Sequence, residues 1–92
     1  MIAAFFGESK FRLGALFVSD AASRKITLAD LSTALSRHAK CDWGGIDREN
    51  RKRNAQGMLR VISLYGARNG TRFHVLTEPK KLKTSVFLPK EV

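Results

Sequence analysis

Three short apolar-rich segments near the end of the chain do most to limit what it folds into. Residues 59–65, 71–77 and 84–88 each read as a strand. Between the first two, residues 66–70 form a turn, and Asn69-Gly70 suits a position of positive φ. Pro79-Lys80-Lys81-Leu82-Lys83 makes the next turn, and Pro89 ends the last strand. Segments joined by connections this short pair as antiparallel neighbours, so the last third of the chain is a sheet.

The rest must supply a layer to cover that sheet. Residues 11–19, FRLGALFVS, are dense in Phe, Leu and Val and read as one more strand, with Gly14 as a candidate bulge. Residues 20–25 read as a polar connection. Thr27-Leu28-Ala29-Asp30 has the form of a capping box. Leu28, Leu31, Leu35 and His38 recur behind it at helical spacing, with Ala34 beside them. Arg37 and Lys40 fall where the dipole favours cations, so the spacing predicts a helix over 28–39. Asp42-Trp43-Gly44-Gly45 breaks the chain. Asp47 then caps a second helix over 48–56, which Gly57 stops. That helix is polar nearly all round, with Ile46, Ala55 and Met58 as its evident anchors.

The order β-α-α-β-β-β predicts an α+β fold. Two helices pack on one face of an antiparallel sheet of about four strands. With 92 residues the chain is expected to be one domain, 1–92. Strict alternation puts Arg60, Arg72 and His74 on the opposite sheet face. It puts Ile62 and Leu76 there too, and so leaves the face assignment open.

Charge narrows the partner. Lys and Arg number 17 against 8 Asp and Glu, a formal charge of +9. Such an excess favours nucleic acid, a nucleoprotein or an acidic protein face. One cysteine, Cys41, excludes an intramolecular disulfide and any cysteine-based zinc site, which fits a reducing cytoplasm. Residues 1–6 are apolar but too short for a signal peptide or a membrane span, and read as an edge strand or a tucked terminus. No membrane partner is expected.

The chemistry-bearing residues do not assemble a reaction. His38 sits at the apolar helix spacing of a packed side chain, and His74 lies mid-strand. Cys41 is near His38 in sequence, but catalytic pairs are set in space. Glu78-Pro79-Lys80 has the acidic-x-Lys form of metal-dependent nucleases, yet the partner carboxylates, Asp42 or Asp47, lie on no clear strand. Gly44-Gly45 lacks the Lys-Ser/Thr frame of a phosphate loop. No catalytic residue, metal or cofactor is therefore expected. The sharpest functional feature is the basic run Arg48, Arg51, Lys52 and Arg53, joined by Lys80, Lys81 and Lys83 as groups that can track a phosphate backbone. Trp43 is read as a core anchor, with base stacking as the competing role, and Asp42 as a turn residue bonding local amides.

Two stretches carry a resemblance. CDWGGIDRENRKRN is similar to a DWG-D-x-(D/E)-E-D-x-x-x-N box. RVISLYGARNGTRFHVLTEPKKLKTSVFLPKEV is similar to a pattern that runs from R-L-L-S-x-Y to a T-T-x-L-L-P-E-E-Y end. Together they resemble a family of small plasmid-related proteins carried on plasmids and integrative elements, over roughly residues 11–92. Asp42, Trp43 and Gly44 form its structural motif, and the motifs name no chemistry. This chain departs from the pattern by lacking about three residues, close to one helical turn, between Asn54 and Arg60. It also replaces an acidic turn by Pro79-Lys80-Lys81-Leu82-Lys83. The resemblance implies a mobile-element setting. The expected function is a small non-enzymatic protein binding nucleic acid or a nucleoprotein. The alternative is an anti-defence protein that inhibits a restriction or CRISPR complex of the host by contact with it or by blocking a nucleic-acid groove.

Overall fold

The C-terminal segments form the three-strand meander that their turns demand. The computed structural model describes residues 13–56, 60–78, 80 and 82–91. The elements run β1 (Ala15–Val18), α1 (Asp20–Lys25), α2 (Leu28–Ala39), α3 (Arg48–Gln56), β2 (Val61–Gly66), β3 (Arg72–Glu78) and β4 (Lys83–Phe87), with a 3-10 turn at Pro89–Glu91. The α+β class holds, with a four-stranded sheet of order β1-β4-β3-β2. The sheet is mixed rather than antiparallel throughout: β2, β3 and β4 alternate, but β1 pairs parallel to β4. The physical reason is the connection. Three helices carry the chain from β1 to the far edge, and the meander then returns to meet β1 running the same way.

The described residues hold three α-helices, not two. Residues 20–25 are a helix because Ser19 caps it, its hydroxyl accepting from Ala22 N at 3.1 Å, and because Ala22 is fully buried. The polar residues around Ala22 disguise this one-residue anchor. Gly14 is no bulge. It precedes β1 at φ +69, where a Cβ would collide with the carbonyl of Leu82. Leu28 is 70% exposed, so the apolar stripe of α2 begins at Leu31. The segment 1–6, Gly57 and Met58 lie outside the described residues.

Register settles the two sheet faces. Val61, Ser63 and Tyr65 of β2, Phe73, Val75 and Thr77 of β3, and Thr84 and Val86 of β4 are buried on one face. Ala22 of α1 and Ala34, Leu35 and Ala39 of α2 complete that core. Each large side chain buried there contributes roughly 1.5–3 kcal/mol. Arg72, His74 and Leu76, with Ile62, point the other way, as alternation required. Helix α2 starts on Thr27, whose hydroxyl accepts from Asp30 N at 3.1 Å. Asp30 itself turns to Arg68, accepting from its backbone N–H and its guanidinium. The helix ends in a Schellman pattern, Asp42 N to Arg37 O at 2.9 Å and Cys41 N to His38 O at 3.1 Å, with Cys41 at φ 67 where glycine is usual. Among the described residues no helix is long and apolar enough to cross a membrane.

Candidate nucleic-acid interface

The Asp42-Trp43-Gly44 motif closes a sheet edge. Among the described residues no strand pairs with the outer edge of β2, and exposed edges invite unwanted pairing. Leu64 N donates to Trp43 O at 3.1 Å, and Gly45 N donates to Leu64 O at 2.8 Å. Gly44, at φ +65, allows that approach, because a Cβ there would collide with Leu64 O. One step along, Asn54 does the same with its side chain. Its amide donates to Ile62 O at 2.8 Å and accepts from Ile62 N at 3.1 Å, imitating one residue of a neighbouring strand. Asn54 is 3% exposed and is the true anchor of α3. Ala55, read as an anchor, is exposed, whereas Ile46 is buried.

The rest of the motif braces this lid. Asp47 Oδ1 accepts from Asn50 N at 2.8 Å, capping α3 as its sequence position predicted. Asp42 takes Arg37 in a two-pronged pair at 2.7 and 3.1 Å, and the Arg37 guanidinium holds the Asp42 carboxyl below its usual range. Tyr65 donates its hydroxyl to Asp42 O, and burial pushes that hydroxyl up to about 12. Trp43 is half-buried and stands outside the core cluster. Its buried indole N–H finds no acceptor, so position 43 holds the lid through its backbone carbonyl more than as a core anchor.

The basic helix divides in two. Arg51 is committed to the fold: Nε donates to Ile46 O at 3.2 Å and Nη2 to Gly44 O at 2.6 Å. Arg53 stands 4.0 Å from Glu49. Arg48 and Lys52 are exposed one turn apart, and among the described residues no carboxylate pairs with either. Lys80 is exposed, and Lys81 lies outside the described residues. Lys83 belongs to β4, about 10 Å across the sheet from β2 by strand spacing. It therefore stands apart from the α3 run rather than extending it.

Lys83 lies on the sheet face opposite the core, with its ammonium 5.3 Å from the ring centroid of Phe17. Phe17 is 54% exposed. Across β4 and β3, Phe87 and His74 face each other in register, with ring centroids 5.4 Å apart. Arg72 lies at the far end of this face. The sequence reading placed His74 and Arg72 here as one option. Phe17 and Phe87 join this face only through pairing, Phe87 across from His74 on β3 and Phe17 through the parallel pairing of β1 with β4.

A buried polar chain links α2 to the sheet. His38 is fully buried, with Nδ1 2.6 Å from Ser63 Oγ and Nε2 2.9 Å from Thr77 Oγ1. Thr77 meets Thr84 at 2.7 Å, and Thr84 donates to Leu13 O at 2.6 Å. A carbonyl only accepts, so Thr84 donates to Leu13, Thr77 donates to Thr84, and Thr77 accepts from His38. The ring proton is therefore on Nε2, and Nδ1 accepts from the Ser63 hydroxyl. Burial pushes His38 down to about 4. Ser63, His38 and Thr77 resemble a nucleophile and its base in spacing, but none has exposed surface for a substrate to reach. Cys41 is exposed while the His38 ring is buried, so the two form no reactive pair. Asp42 is engaged by Arg37 and Asp47 by the start of α3. Among the described residues no group of His, Cys, Asp or Glu is placed to hold a metal. No family model matches the chain, and no curated protein or solved structure matches it either.

Proposed function

We infer that this is a small non-enzymatic protein of a mobile genetic element that binds nucleic acid, free or within a nucleoprotein, through its basic surface. One observation carries the reading. Arg48 and Lys52 are exposed one turn apart with no carboxylate paired to them among the described residues, in a chain of net charge +9. Like charges so close repel and stabilise nothing by themselves, whereas a phosphate backbone relieves them. The mobile-element setting rests on the resemblance of the DWG and C-terminal stretches. The reading sets the protein in the cytoplasm, where its single cysteine stays reduced.

The test is isolation of the tagged protein from its host with and without nuclease treatment. The expected result is co-purifying nucleic acid that nuclease removes together with any associated proteins. A protein partner retained in full after nuclease, with no nucleic acid in the untreated sample, overturns the reading in favour of direct protein contact, as an anti-defence role requires.

A further inference from the structure

We propose that the sheet face opposite the core is a stacking platform for single-stranded nucleic acid, on which Phe17 and the His74–Phe87 pair hold bases and Lys83 and Arg72 hold the backbone. The proposal rests on the nucleic-acid reading above and names the form of strand that is bound.

The argument begins with what this face costs the isolated molecule. An edge-strand phenylalanine 54% exposed leaves apolar ring surface in water. Phe17, Phe87 and His74 fall on adjoining strands of the order β1-β4-β3, so their rings form one band across the sheet. The register sets Phe17 beside Ser85, two residues from Phe87, which puts the two Cα atoms about 8 Å apart by strand spacing and rise. Each ring position can therefore take its own base.

Charge selects the occupant. Lys83 sits against the Phe17 ring, and Arg72 lies beyond His74 on the same face, about 20 Å along the strands from the Lys83 row. One cation at each end of an aromatic band matches a chain that alternates flat bases with phosphates. Glu78 stands opposite Lys83 in register, so the Arg72 end is the more positive end of the track. A second copy laid on this face would bring net charges of +9 against each other. Duplex hides the faces of its bases in the stack, so only an unpaired strand can use the rings.

The experiment measures fluorescence anisotropy of a short labelled single strand and of the same sequence as duplex. Four proteins are compared: wild type, Phe17→Leu, Phe17→Tyr and the Arg48→Ala/Lys52→Ala double variant. Phe17→Leu keeps an apolar side chain at an exposed position, and a melting curve verifies its fold. The proposal expects Phe17→Leu to weaken single-strand binding roughly 5- to 150-fold while duplex binding stays at the wild-type level. Phe17→Tyr, which keeps a ring, retains binding. The double variant weakens both forms alike. Wild-type affinity for single strand in Phe17→Leu overturns the platform and leaves the nucleic-acid reading standing, as does an equal loss on both forms. No binding by the wild type to either form overturns the reading and the platform together.

Discussion

Lowering the pH should destabilise this protein chiefly through one residue, His38. The ring is fully buried between α2 and the sheet, and its two nitrogens are held by Ser63 and Thr77 in an arrangement that fits the neutral form. A second proton would put a charge into the core, which is why burial pushes His38 down to about 4 from 6.5. In the unfolded chain the ring returns to its ordinary value. Between these two values the unfolded state binds more protons than the folded one, so stability rises with pH across that window. The contribution is complete above 6.5 and is lost as pH falls towards 4. Integrated, it is about 3 kcal/mol between pH 7 and pH 4. For a chain of this size, whose whole stability is on the order of 5–14 kcal/mol, that is a large share. Urea denaturation at pH 7, 5.5 and 4.5 measures it, with His38→Gln as control. The wild type should lose stability steadily through this range, and His38→Gln, less stable at pH 7, should lose much less. The Asp42 and Glu91 carboxyls are held below their usual range and act mainly at the lower end. Parallel pH dependences in the two proteins would refute the argument.

Other substitutions test the lid and its neighbours. Asn54→Leu keeps the volume but strips Ile62 of both partners, and should cost about 2–4 kcal/mol by chemical denaturation, with aggregation through the opened β2 edge visible in light scattering. Cys41→Gly relieves a side chain held at φ 67 and should raise stability by about 1 kcal/mol in the same assay. Trp43→Phe removes an indole N–H that has no acceptor, so its melting midpoint should match or exceed that of the wild type despite the smaller ring.

What the sequence made legible follows from where local chemistry decides. Helix α2 could be read because Thr27 caps it and Leu31, Leu35 and His38 keep the period. The meander could be read because Asn69-Gly70 and the 79–83 turn leave little freedom. Helix α1 was missed because Ala22 alone holds it to the core, and one alanine makes no pattern. The parallel pairing of β1 with β4 was missed because it joins segments nearly seventy residues apart, with no local signal. The basic run showed in composition, but the commitment of Arg51 to the carbonyls of Gly44 and Ile46 did not. Asn54 looked like one more polar residue on a polar helix. Its role exists only because a sheet edge lies beside it.

Salt dependence of binding tests the central claim most directly. The logarithm of the association constant for nucleic acid is measured against the logarithm of salt concentration, for the wild type and for Arg48→Ala/Lys52→Ala. Each phosphate contact contributes close to one unit of negative slope. The account predicts a clearly negative slope for the wild type and a slope shallower by about two in the double variant, with both proteins equally stable. Equal slopes in the two proteins, or no affinity in the wild type at low salt, would contradict it.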